Sequence, residues 1–257
     1  MAQPTSAAEL LRNPDEEKRR EAFDRISVEM DDALARVILT IIAGDASDDI
    51  RADAVVALGP AVEECGIEYM DEEDVLDTGF VGAPLSKEAF RELTSALRGV
   101  YEDQAQPTIV RRRALEVLVR DPQPWQKDAI RRYFASQDRD WKMTALFAMG
   151  YVRGFEPELL DVLRTGDGDL LYEAVRAAGN AEVVEAAPIL EAFAISEETD
   201  RDVRLEAIAA LPSVDPECFD LLDELAESTD EQVRGAAEQA LEELQMFGED
   251  LDEDEEE

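Results

Sequence analysis

Apolar positions recur along this chain at helical rather than strand spacing. Take Arg51 of the segment IRADAVVALG as position zero; equivalent positions are Arg19, Arg111, Lys142, Leu171, Arg204 and Arg234. Three residues after each stands an alanine: Ala22, Ala54, Ala114, Ala145, Ala174, Ala207 and Ala237. One residue before zero the side chain is large and apolar (Ile50, Val110, Trp141, Leu170, Val203, Val233), with Lys18 the exception. Seven residues after zero come Ile26, Leu58, Leu118, Met149, Ala178, Leu211 and Leu241. Positions −1, +3 and +7 lie four apart and form one stripe on a helix. An alanine at the centre of the stripe lets a neighbouring helix come close, while the larger flanking residues fill the groove. Asp138, Asp167, Asp200 and Asp230 stand just upstream, where they cap free backbone N–H groups and complement the positive helix end.

Between these helices lie second amphipathic segments: 33–43, 87–101, 125–135, 158–164, 183–195 and 217–227, with 6–12 as the first partner. Each unit is therefore a helix, a turn and a helix, and it must stack on neighbours to bury its apolar face. Successive zero positions are 32, 60, 31, 29, 33 and 30 residues apart. The long gap predicts an insertion over about 60–86, with eight acidic residues and no basic one. Its glycines and prolines predict a loop with one helical turn. After Phe247 the sequence GEDLDEDEEE predicts a disordered acidic tail over 248–257. The expected fold is all-α, a right-handed α-solenoid of about seven helix pairs over residues 5–247.

A period near 30 residues with a V-R-x-x-A-L-type core resembles the HEAT-like repeats named after phycobilisome lyases. The clearest copies are DVRLEAIAAL and EQVRGAAEQAL. The T-P-L-H start of ankyrin repeats and the W-L-G-Y pattern of tetratricopeptide repeats are absent. The resemblance implies a scaffold or adaptor that binds a protein partner. Deoxyhypusine hydroxylase resembles this fold too, but holds iron through His-Glu pairs, and this chain has no histidine. Without histidine the usual general base and the usual zinc and iron ligands are missing as well. A bilin-lyase activity is the least favoured reading, since no motif marks a chromophore site.

Charge narrows the picture further. The 257 residues hold 63 Asp and Glu against 25 Lys and Arg, a formal charge of −38. Only four of the basic residues are lysines (Lys18, Lys87, Lys127, Lys142). An acidic, lysine-poor composition predicts a protein adapted to concentrated salt. The N-terminal sequence carries no apolar run of the secretory kind, and no segment is long and apolar enough to span a bilayer. Two cysteines distant in sequence, Cys65 and Cys218, make no disulfide framework. The expectation is a cytoplasmic protein with no membrane contact, no catalytic residue, no cofactor and no metal site.

One stretch departs from the acidic norm. Residues 98–153 carry 11 Lys and Arg against seven Asp and Glu, and seven of the chain's 16 aromatics fall between Trp125 and Phe155. With −1, +3 and +7 inward, positions +1, +2, +5 and +9 face away. They place Arg112, Arg113, Arg120, Phe147, Tyr151 and Arg176 on the inner face of repeats three to five. Exposed arginine beside exposed aromatic is the predicted contact surface for a protein partner. Nucleic-acid binding, including repair of alkylated DNA, is the alternative. Trp141 is expected in the core, and Arg111 is expected to pair with acids at a neighbouring helix start.

Overall fold

The computed structural model describes residues 6–44, 47–69, 83–166 and 168–253. All regular structure among them is helical. The chain divides at Pro124/Trp125 into two compact units, which falls between the third and fourth predicted repeats.

The first unit holds three helix pairs. These are α1 (Ala7–Leu11) with α2 (Glu16–Glu29), α3 (Asp32–Ala43) with α4 (Asp48–Val56), and α6 (Lys87–Glu102) with α7 (Thr108–Leu118). The second holds four: α8 (Gln126–Phe134) with α9 (Arg139–Met149), α10 (Glu156–Thr165) with α11 (Gly168–Asn180), α12 (Ala187–Ile195) with α13 (Arg201–Val214), and α14 (Phe219–Ala226) with α15 (Glu231–Glu253). A short 3-10 turn, Val184–Ala186, leads into α12. The seven predicted pairs are all present, in an all-α solenoid architecture.

The alanine stripe is the reason the second helices of each pair stack. All seven +3 alanines have zero solvent exposure. In the first unit α2 packs on α4 and α4 on α7; in the second α9 packs on α11, α11 on α13 and α13 on α15. The approach is tight at Gly179, where a Cβ would meet the Cβ of Ala210 at 2.8 Å. Trp141 takes its predicted core position and stacks on Tyr133, with ring centroids 3.9 Å apart.

Helix starts follow the predicted chemistry. Asp138 accepts from the backbone N–H groups of Asp140 and Trp141, Asp200 from Asp202 and Val203, and Asp230 from Gln232 and Val233. Such caps contribute about 1 kcal/mol each. The predicted cap Asp167 lies outside the described residues.

Arg19 and Arg51 pair with acids of their own helices, Glu16 at 3.4 Å and Asp48 at 3.7 Å, and the position-zero arginines Arg51, Arg111 and Arg204 each reach a backbone carbonyl. Arg51 Nε donates to Ile42 O at 2.7 Å, Arg111 Nε to Tyr101 O at 3.0 Å, and Arg204 Nε to Ala194 O at 2.8 Å. Ile42, Tyr101 and Ala194 are each the penultimate residue of the preceding helix, α3, α6 and α12. Their carbonyls belong to the last turn, which has no intrahelical donor. In these three repeats the arginine ties the second helix to the C-terminal end of the first, and its charge complements that end of the helix.

The insertion is more ordered at its start than its composition predicts. Residues Gly59–Glu68 form a ten-residue helix, α5, which packs on α6 and α7. Pro60 near its N-terminus is no obstacle, because the first turn needs no N–H donor. Its buried side, Ala61, Val62 and Cys65, lacks the repeat's alanine stripe. Returning to the array, the Tyr69 hydroxyl donates to Leu85 O, and Ser86 donates to the Asp32 carboxylate through N and Oγ at 2.9 and 2.7 Å. Those two bonds hold the Asp32 carboxyl below its ordinary range. The centre of the insertion, 70–82, lies outside the described residues. At the other end α15 continues to Glu253, so 248–253 are helical where composition predicts disorder. Residues 254–257 are not among those described.

Candidate protein-binding face

Three of the six predicted contact residues lie in the first unit. Arg112, Arg113 and Arg120 are half-buried. Arg113 is paired with Glu116 on the same helix at 2.6 Å, and Arg120 with Glu63 of α5. The other three lie in the second unit and come together. The Phe147 and Tyr151 rings are 5.2 Å apart, and the Arg176 guanidinium lies 5.3 Å from the Phe147 ring centroid. Phe147 is half-buried rather than exposed, because Arg176 from the next repeat lies over it. Burial alone would disfavour the Arg176 charge, but Glu173 at 2.8 Å, with the Glu206 carboxylate behind it, more than offsets that, and the guanidinium is held more basic than usual.

Local ion pairs neutralise much of the basic stretch. Arg98 pairs with Glu102, Arg131 with Asp128, Arg139 with Asp169 and Arg153 with Glu182. Exposed pairs of this kind add between 0 and about 1 kcal/mol each. Their larger consequence is for binding, since a paired cation has less field to offer a phosphate.

The second unit carries a groove the sequence reading did not single out. It measures about 770 Å³ and crosses α9, α11, α13 and α15. Its lining repeats in register. Met143, Tyr172, Leu205 and Gly235 are the +1 residues of repeats four to seven; Glu206 and Ala236 occupy +2, and Ala209 and Gln239 occupy +5. This is the outward face of the second helices, the same face that carries Phe147 and Arg176, centred further along the chain than predicted. Small side chains make the space: a Cβ on Gly235 would meet no heavy atom within 4 Å. Aromatic and cationic residues were the signal sought in the sequence, whereas the groove exists where side chains are small.

The groove wall is polar and acidic. Tyr172 donates its hydroxyl to Glu206 at 2.9 Å, which ties α11 to α13. Desolvation first, then that hydrogen bond, pushes the Tyr172 phenol above its ordinary pKa. Asp169, Asp200 and Asp202 complete the acidic lining, and no lysine or arginine contributes to it. Neither cysteine offers a nucleophile. Cys65 and Cys218 are buried, and desolvation raises both thiols, Cys218 to about 11. Among the described residues no group of three Cys, Asp or Glu side chains is placed to hold a metal ion, and no helix is long and apolar enough to cross a membrane.

Residues 156–242 match the HEAT repeats family. That span covers repeats five to seven, α10 into α15, and so most of the groove. No curated protein matches the chain. Among solved structures, an engineered protein from the Northeast Structural Genomics Consortium is 20% identical, with 93% of this chain and 95% of that one covered and a TM-score of 0.41. Human deoxyhypusine hydroxylase in complex with glycerol is 16% identical, with 93% and 95% covered and a TM-score of 0.37. A computationally designed armadillo repeat protein for modular peptide recognition is 17% identical, with 92% and 97% covered and a TM-score of 0.29.

Proposed function

We propose that this chain is a non-enzymatic HEAT-repeat scaffold that holds a protein partner on the outward face of its second helices. The observation that carries the reading is the groove across α9 to α15, to which the +1 residue of every repeat from four to seven contributes, joined by +2 and +5 residues of the last two. A repeat array that leaves one register open over several units presents an extended surface, which suits a polypeptide better than a small substrate. Phe147, Tyr151 and Arg176 extend this face toward the start of the second unit. Arg112, Arg113 and Arg120 are the corresponding contacts in the first. The nucleic-acid alternative is disfavoured by the acidic groove and by the ion pairs that occupy the basic stretch.

The absence of histidine and the two buried, high-pKa thiols support the non-enzymatic part of the proposal. The acidic, lysine-poor surface supports a cytoplasmic protein working in concentrated salt. The test is affinity capture with the full chain, comparing wild type with Ala209→Trp, which fills the groove from an exposed position. Loss of the principal captured protein, with an unchanged thermal melt, is the expected result. Equal recovery by both proteins rejects the groove as the contact surface.

A further inference from the structure

We infer that the groove takes an extended peptide segment bearing Lys or Arg side chains. The inference rests on the scaffold reading above and adds the chemistry of what is held.

Four carboxylates line the groove, and their situations differ. Asp200 is occupied as a helix cap, and Asp169 lies 3.9 Å from Arg139. Asp202 sits in the first turn of α13, where the helix end by itself accounts for a carboxylate. Glu206 has no such explanation. It is the sixth residue of α13, beyond the first turn, and half-buried; the Tyr172 hydroxyl fixes it, and among the described residues no cation lies within ion-pair distance, the nearby Arg176 guanidinium being paired with Glu173. A partly desolvated carboxylate held in one orientation is matched by a cation entering from the open side, and the bond so formed is charge-assisted.

The remaining lining fits the rest of such a segment. Met143 and Leu205, both half-buried, give apolar surface on which the alkyl stem of a Lys or Arg side chain can lie. Gln232 and Gln239 are seven residues apart on α15 and share a face. The Gln239 amide can donate and accept, as the backbone of an extended chain requires, while Gln232 keeps its N–H donors, its oxygen accepting from Arg201 Nε. Adjacent helices pack about 8–10 Å apart, so the path from α11 across α13 to α15 is roughly 16–20 Å. At about 3.3 Å per residue this accommodates five or six extended residues. A phosphate backbone entering the same groove would meet four carboxylates and be repelled.

The test is fluorescence anisotropy of a labelled eight-residue peptide alternating Arg and Leu, titrated with the full chain at 0.5 M salt to suppress diffuse attraction. The comparisons are a Glu/Leu peptide of equal length and the double variant Asp202→Asn/Glu206→Gln, which keeps side-chain shape. Saturable one-to-one binding of the Arg/Leu peptide, weakened about tenfold or more by the double variant, and no binding of the Glu/Leu peptide are expected. An affinity unchanged in the double variant places the attraction elsewhere on an acidic surface and overturns the inference. Equal binding of the Glu/Leu peptide, or none of the Arg/Leu peptide, does so too. Loss of the captured partner on Ala209→Trp together with no Arg/Leu binding sinks this inference while the scaffold reading stands.

Discussion

Replacing Arg204 by methionine isolates the interaction that ties one helix of a repeat to the other. Arg204 is half-buried and donates Nε–H to Ala194 O at 2.8 Å, at the penultimate residue of α12. Methionine keeps most of the stem's packing and removes the donor and the charge. A hydrogen bond from a charged donor contributes about 1.5–3 kcal/mol, and a cation at a helix C-terminus about 0.3–1 kcal/mol. Water reaching the freed carbonyl offsets part of the loss, so the net cost is about 2 kcal/mol. Arg201→Met is the control, because Arg201 pairs with Asp230 at 2.7 Å on an exposed surface, where such pairs contribute at most about 1 kcal/mol. Urea unfolding of the full chain, followed by circular dichroism and resolved for the second unit, gives both values. A loss from Arg204→Met no larger than that from Arg201→Met refutes the clamp.

Two further predictions follow from burial and close approach. Gly179→Ala is expected to lower the melting temperature of the second unit, since its Cβ would sit 2.8 Å from that of Ala210, an overpacking of about 1–3 kcal/mol. The same change at Gly99 in α6, with no atom within 4 Å, is expected to raise stability by about 0.5–1 kcal/mol; thermal melts showing the same sign at both sites contradict the packing. Cys218, with its thiol raised from 9.0 to about 11, favours the folded state fully below pH 9, and that contribution disappears as pH rises through 11. Unfolding free energies of wild type and Cys218→Ala should therefore converge between pH 9 and 11; a constant difference argues against a buried neutral thiol.

The fold was readable because an alanine every 30 or so residues is a geometric demand: where two helices must touch, a larger side chain does not fit. Ala22 through Ala237 meet that demand without exception. The role of the zero-position arginine was not readable, because spacing shows which face a residue occupies but not which atom it reaches. Abundant carboxylates make an acid the natural partner, and Arg51 does pair with Asp48; the carbonyl at the end of the preceding helix is a further acceptor that spacing does not reveal. Helix α5 was missed because it packs without an alanine stripe. The outward face of the second helices was readable from the same periodicity. Its opening was not, because Gly235, Ala236 and Ala209 mark it by what they lack, and the search for arginine beside phenylalanine pointed instead to Phe147 and Arg176, which already satisfy each other.

The central claim is that a protein partner sits in the groove of the second unit, and site-specific photo-crosslinking tests it most directly. A benzophenone amino acid is placed at Ala209 in the groove or at Phe219, which is 47% exposed on α14 and absent from the groove lining. After irradiation in a native extract, adducts are resolved by mass spectrometry. One discrete protein adduct at position 209, lost on adding the Asp202→Asn/Glu206→Gln changes and absent at position 219, is the predicted result. Adducts of equal yield at both positions, or at 219 and not at 209, contradict the account.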